Sequence, residues 1–396
     1  MSVPLVVDAD GHCQEPEEGL APWMPRELAG RVPRRITDNL GQSRILLEGR
    51  VWGKSEGLGP GVSGPFAPHI VGSRPGMRDP RQRLVDMDQE GIDVAIIFGT
   101  SIALTVNGLQ DRTLAGAICH AVNGWLLEYV AADRRRLKAV GLIPCQDPPA
   151  AARELEFLAK NGAVTAMLPT NVYGINLGDR RFDPIYAAAQ ELGLPLSVHP
   201  QTGHDGQYGV SGVMGAGSER MERYSYVHMT AFPFELMIAL MHMIGEGVFD
   251  RYPRLKVAFM EGGCGWIPFW THRLYEHFEK LRPQWAELRR EPSTVIKSGQ
   301  VSFTCEAGEP EISNVLDAIG ESQVMYASDY AHWDCEFPES VKMVAATPGL
   351  SAERTKLVLG QNAIRWFNLQ ESDLPAASVY FGGGAGATPG RVLSSR

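Results

Sequence analysis

The stretch VPLVVDADGHCQEP (Val3–Pro16) decides the fold. An apolar, β-branched run ends abruptly in Asp8, Asp10 and His12, which a strand of period two places on one face. No basic leader precedes the run, and acids follow it at once, so it reads as a buried strand rather than a signal peptide.

Seven similar runs follow: IDVAIIFG from Ile92, LKAVGLIP from Leu137, AVTAMLP from Ala163, LPLSVHP from Leu194, LKVAFMEG from Leu255, GQVSFTC from Gly299 and QVMYASD from Gln323. Near-continuous apolar runs of this length suit strands buried on both faces, as in parallel sheets. Helical patterns lie between them at Asp79–Glu90, Pro149–Lys160, Asp183–Leu192, Phe234–Ile244 and Ile267–Lys280. Pro80 suits a first helical turn, and Gly193 suits the stop after Leu192. Eight strands alternating with helices predict a (β/α)8 TIM barrel over an open doubly wound sheet. No G-x-G-x-x-G follows the first strand, which speaks against the open sheet and its dinucleotide.

Residues 1–375 are expected to form this single barrel, and 376–396, with GGGAGATPG at Gly382–Gly390, a flexible tail. Two stretches break the alternation. Gln42–Gly76 holds a strand-like pair, RILLEG and VWGK, and then a Gly/Pro-rich loop; Gln201–Gly217 follows the fifth strand. Such insertions at a barrel mouth form lids or substrate walls, and the Met- and Tyr-bearing Gly209–Phe234 is expected to wall an apolar pocket.

Composition narrows the function. The 396 residues are 44% hydrophobic and 21% charged, with a formal net charge of -9 and no extended basic run. Phosphate backbones are bound by clustered Lys and Arg, so nucleic acid is excluded as a partner. No apolar run approaches the roughly 18 residues that cross a bilayer. The six cysteines form no C-x-x-C pair, which predicts free thiols and a cytoplasmic protein.

Barrel enzymes carry their chemistry at the C-terminal ends of the strands. Here those ends hold Asp10 and His12, then His199, Glu261 and Asp329, with His332 just beyond and His228 in the insertion after the fifth strand. Imidazoles and carboxylates converging on one mouth are the donor set of a divalent metal. Each also has a plainer reading: Asp8 as a turn cap, His199 as a core histidine, Glu261 as half of a buried ion pair, His228 as helix packing. His332 and Asp334 lie on a loop and suit proton transfer or solvent equally. The remaining histidines lie away from strand ends and are read as structural. No G-x-S-x-G elbow or Walker loop is present, and Cys264 and Cys305 lack an adjacent His, so they read as packing.

At these residues the chain resembles the second amidohydrolase family, which includes aminocarboxymuconate-semialdehyde and resorcylate-type decarboxylases. The resemblance spans about Val7–Leu369. It rests on VVDADGHCQEP, DPRQRLVDMDQEGIDVAI, FDPIYAAAQELGLPLSVHP, GVFDRYPRLKVAFMEGGCGW, YASDYAHWD and LGQNAIRWFNL. It implies metal roles for Asp10, His12, His199 and Asp329. The family usually has a histidine before the glycines of the sixth strand, where this chain has Glu261.

That replacement makes the mouth rich in carboxylates. Asp10, Glu261 and Asp329 with His12, His199 and His228 make six candidate ligands, enough for two ions with a bridging carboxylate. The set is similar to non-haem di-iron monooxygenases of platensimycin and platencin biosynthesis. The leading expectation is therefore two irons activating O2 to hydroxylate an apolar, terpenoid-like acid or its CoA thioester in antibiotic biosynthesis, with Glu261, His332 and His228 in catalysis. The rival is a mononuclear zinc or manganese decarboxylase or hydrolase of a small organic acid, with Glu261 as base. The aromatics around Trp266–Trp270 suit either a homodimer face or packing on their own barrel.

Overall fold

A computed structural model describes residues 4–37, 39, 43–52, 74–100, 102–200, 224–376 and 378–382. Eight parallel strands form one sheet in chain order: β1 (Val7–Cys13), β2 (Val94–Gly99), β3 (Leu137–Leu142), β4 (Thr165–Leu168), β5 (Leu196–Val198), β6 (Val257–Phe259), β7 (Val301–Cys305) and β8 (Val324–Tyr326). β2 to β8 lie inside the apolar runs of the sequence, and β1 continues past its run to Cys13. The sheet curls into a nearly closed barrel. Its first and last strands meet through Asp329 N–H donating to the Asp10 carbonyl at 3.0 Å and His12 N–H donating to the Tyr330 carbonyl at 2.6 Å.

Helices cover the outside: α1 (Pro80–Glu90), α2 (Arg112–Val130), α3 (Pro148–Lys160), α4 (Asp183–Leu192), α5 (Tyr224–Gly245), α6 (Ile267–Lys280) and α7 (Ile312–Ile319). Several of their starts are capped. The side chains of Asp79, Asp111 and Asp147 accept backbone N–H groups of Arg81, Leu114 and Ala150; α1 and α3 open with proline, and α4 has Pro184 as its second residue. Gly91 and Gly193 close α1 and α4 in the left-handed region. None of the helices described is long and apolar enough to cross a membrane.

The core divides by strand face. Val7 and Ala9 join Val94, Ile96, Phe98, Val140, Leu142, Met167, Ala258 and Met325 in one cluster. Val6 and Cys13 join Ala95, Ile97, Ala139 and Leu155 in another, shared with the surrounding helices. β1 changes face between these ends. Its pairing with β2 slips by one residue between Asp8 and Gly11, a β-bulge. The expectation that Asp8, Asp10 and His12 share one face is thus corrected: the extra residue leaves Asp8 facing α1 and turns Asp10 and His12 into the barrel.

The strand-like pair of the first insertion forms antiparallel strands at Ser43–Leu47 and Arg50–Trp52, joined by a third at Arg34–Thr37. The Gly-rich loops at 53–73 and 201–217, and the part of the expected pocket wall at 209–223, lie outside the described residues. At the C-terminus, Asp93 accepts from Ser378 Oγ at 2.7 Å and Val379 N–H at 2.6 Å. The chain is therefore anchored past residue 375, and 383–396 of the expected tail lie outside the described residues. Trp266 and Trp270 donate their indole N–H groups to the Gly263 and Met237 carbonyls, so both pack on their own barrel, while Phe269 stays 59% exposed.

Candidate metal centre

The barrel mouth gathers six ionisable side chains from four strands. Two overlapping sets of donor atoms lie within 4.8 Å: Asp10, His12 and His199, and His12, Glu261, Asp329 and His332. His12 belongs to both. Its Nε2 stands 3.6 Å from Asp10 Oδ1 and 3.3 Å from Asp329 Oδ1. His199 Nε2 is 2.8 Å from Glu261 Oε2 and 3.8 Å from Asp10 Oδ1. His332 Nδ1 is 2.7 Å from Asp329 Oδ1 and 3.4 Å from Glu261 Oε1.

Local structure aims each group. His199 leaves β5 just before Pro200, whose carbonyl lies 2.6 Å from His199 Nδ1, leaving Nε2 for the mouth. Glu261 follows β6 by parity on the outer side. Its φ of 50° turns it inward, and its N–H is caught by Thr304 Oγ1 of β7 at 3.0 Å. Asp329 sits at φ 51° after β8. Non-glycine residues in this region cost on the order of 1 kcal/mol and persist where surrounding bonds fix them.

Behind β1 lies a buried support. Asp8 accepts Ser328 N–H at 2.9 Å and Ser328 Oγ at 2.7 Å, and pairs with Arg83 Nη2 at 3.3 Å. Arg83, fully buried, also donates to the His12 carbonyl at 3.1 Å and lies 3.8 Å over the Tyr330 ring. Tyr330 donates in turn to Asp86, which holds Arg74 by two bonds of 2.8 and 2.7 Å. Arg83 is a supporting residue that strand-end position does not mark. Its signal was an arginine within the otherwise core-facing side of α1, where only a buried partner makes the charge tolerable.

The electrostatics follow from burial and crowding. Burial pushes the Asp10 carboxyl up to about 8, with His199 opposing and Glu261 and Asp8 reinforcing. Burial likewise holds Asp329 well above the usual carboxylate range. Burial and the neighbouring His332 hold His12 well below an ordinary imidazole. Burial also works against charge on Glu261, yet His199 and His332 outweigh it and keep the carboxyl low. For His332 burial pulls down, and Asp329 and Glu261 more than reverse it.

This site fits a divalent cation. Both carboxylate oxygens of Asp10 and both ring nitrogens of His12 are buried without a hydrogen-bond partner. Buried polar atoms of this kind are costly unless something pairs with them. Carboxylate and imidazole donors together are ordinary ligands for zinc and manganese.

Of the seven residues expected at the site, His228 lies near Glu261 and His332 but outside the two donor sets. It lies on α5 with its ring 4.0 Å from Phe232 and 5.5 Å from Trp333. Cys264 and Cys305 are buried, and burial pushes both thiols up, so neither is poised as a nucleophile.

Comparison with known proteins supplies a second line of evidence. A family model described as amidohydrolase matches residues 9–369. The 2-amino-3-carboxymuconate-6-semialdehyde decarboxylase of Dictyostelium discoideum is 24% identical over 294 residues, covering 74% of this chain and 77% of that protein. A gamma-resorcylate decarboxylase of Polaromonas sp. is 26% identical over 272 residues, covering 64% and 77%. Among solved structures, 5-carboxyvanillate decarboxylase of Novosphingobium aromaticivorans with bound manganese superposes with a TM-score of 0.68 at 25% identity, over 92% of this chain and 97% of that one.

These relatives overturn the expectation of a di-iron monooxygenase using O2 on a terpenoid-like substrate. They are decarboxylases, and the solved one holds manganese. The geometry agrees with the correction. The two donor sets meet at His12, whose Nε2 faces both Asp10 and Asp329. The Asp10 and Asp329 carboxylates thus converge on the same nitrogen of His12. His228, counted as the sixth ligand for a second iron, is not among them.

Proposed function

The chain belongs to the amidohydrolase family, and from that premise we propose that it is a decarboxylase of a small organic acid that works with one zinc or manganese ion. The observation that carries the reading is the unpaired, buried donor set of Asp10 and His12, with His199 and Asp329 beside it. These four residues would hold the ion. When bound, it supplies positive charge that neutralises the acid and withdraws electrons from the breaking bond.

The remaining groups handle the proton. Decarboxylation breaks one C–C bond, releases CO2 and leaves an electron pair on carbon that must take up a proton. Glu261 and His332 form the pair suited to this exchange, with Glu261 Oε1 3.4 Å from His332 Nδ1. His332 supplies the proton, and the Glu261 and Asp329 carboxylates favour its cationic form beforehand. His228, Phe232 and Trp333 wall one side of the mouth with rings, a surface suited to a planar acid.

The test is product analysis. Manganese-loaded protein is incubated without oxygen in D2O with a panel of hydroxylated aromatic and unsaturated dicarboxylic acids. The reading expects a product lacking one carboxyl group and carrying one deuterium in its place. An unchanged panel, or product formation only on admission of oxygen, would sink it.

A further inference from the structure

His332 is held at both ring nitrogens. Nδ1 faces Asp329 and Glu261, while Nε2 lies 2.5 Å from the hydroxyl Oγ1 of Thr100, the residue that follows β2. The ring also stacks on His12, with centroids 4.0 Å apart and planes 30° apart. Stacking alone does not choose between the two ring orientations related by a half-turn about Cβ–Cγ, because the two faces of the ring have the same shape and cover the same area. Only one of them points Nδ1 at the carboxylates. The other would present carbon to Asp329 and to Thr100. A hydroxyl fixed at the Nε2 position, 2.5 Å away, reinforces that choice beside the Asp329 carboxylate 2.7 Å from Nδ1.

Thr100 is itself fixed. Its N–H donates to Glu15 Oε2 at 3.2 Å, and Glu15 Oε1 accepts Ala103 N–H at 2.8 Å. Glu15 is fully buried and lies against Gly99, where an added Cβ would stand 2.3 Å from Glu15 Oε1. A glycine ending β2 thus lets a buried carboxylate reach the loop and tie down Thr100. We propose that Thr100 is a positioning residue which, braced by Glu15, helps set the ring orientation of His332 and so aims Nδ1 at Asp329 and Glu261.

The inference rests on the proposed function only for its kinetic consequence. It is tested in zinc-loaded, 15N-histidine-labelled protein, with the His332 signals assigned by their loss in His332→Gln. Thr100→Val removes the hydroxyl at nearly constant volume, and Thr100→Ser keeps it. The expected result is that the His332 nitrogen signals move in Thr100→Val and return to the original positions in Thr100→Ser, with zinc content equal in all three. Where the panel identifies a substrate, kcat falls about tenfold in Thr100→Val, the size of one hydrogen bond, with KM little changed and recovery in Thr100→Ser. Signals that shift in a protein that decarboxylates nothing support the positioning role while the decarboxylase reading fails. His332 signals and kcat in Thr100→Val that match the unsubstituted protein overturn the inference.

Discussion

Asp8 fastens the first strand of the barrel to the last, taking both the N–H and the hydroxyl of Ser328 at 2.9 and 2.7 Å. Asp10 and His12 leave one side of this joint, and Asp329 leaves the other. The seam of the barrel is therefore also the frame of the candidate metal centre, and Arg83 bonds both Asp8 and the His12 carbonyl behind it.

Removing Asp8 should act on folding before chemistry. Asp8→Ala leaves the Arg83 guanidinium buried opposite an empty space and frees both Ser328 donors. A buried pair broken on one side costs about 3–5 kcal/mol. Denaturant unfolding should show a loss of that order. A loss under about 1 kcal/mol would mean that the joint does not brace the seam.

Metal removal should be visible as stability. Asp10 and His12 bury unpaired polar atoms, so an ion that pairs with them binds the folded chain alone. At free manganese a hundredfold above Kd, the gain is about 2.7 kcal/mol. Calorimetry of chelator-treated and manganese-loaded protein should show this rise, and Asp10→Asn and His199→Ala should abolish most of it. An equal rise in both variants would place the ion elsewhere.

Glu261 separates holding from reacting. Glu261→Gln keeps the size of the side chain and the backbone bond to Thr304 but removes the charge beside His199 and His332. The account expects metal content close to that of the parent and kcat lower by roughly 10²–10⁴. Steady-state kinetics with metal analysis decides between this and a variant that loses the ion, which would make Glu261 a ligand first.

A buried carboxyl behind β1 gives a pH signature. Glu90 lies against Ser340, and burial pushes it up to about 7, against an unfolded value near 4.5. The folded chain keeps this proton while the unfolded chain loses it. Its contribution to stability therefore falls as pH rises from about 4.5 to about 7, and stays constant above. The difference is of order 3 kcal/mol. Glu90→Gln removes this dependence, so relative to its parent the variant should gain stability between pH 5 and pH 8. A difference that does not change with pH would contradict the assignment.

The barrel strands were legible because continuous apolar runs have few other uses, and β2 to β8 each fall inside such a run, whereas Arg34–Thr37, with two arginines, does not. Helices with one wet face, such as Ile267–Lys280, were legible for the same reason. Arg112–Val130 was not, since Ala117, Trp125 and Leu127, only partly buried, add apolar residues to those buried at Leu114, Ile118 and Val122 and blur the period. α5 is already helical at Tyr224, ahead of the expected Phe234, because Pro233 lies inside it and reads as a start. The six residues gathered at the mouth were all visible as polar strand ends. What aims them was not: the bulge after Asp8 and the left-handed turn at Glu261 are backbone events, and Thr100, Thr304 and Arg83 matter through partners distant in sequence. His228 was counted on sequence proximity to β5, whereas the helix that carries it turns its ring to Phe232 and Trp333.

The most direct test of the account is a titration of metal-free protein with manganese, following 13CO2 released from carboxyl-labelled acids under argon. One ion at the position shared by both donor sets predicts release that rises linearly and breaks at one manganese per chain. A break at two per chain, or no labelled CO2 at any loading, would contradict it.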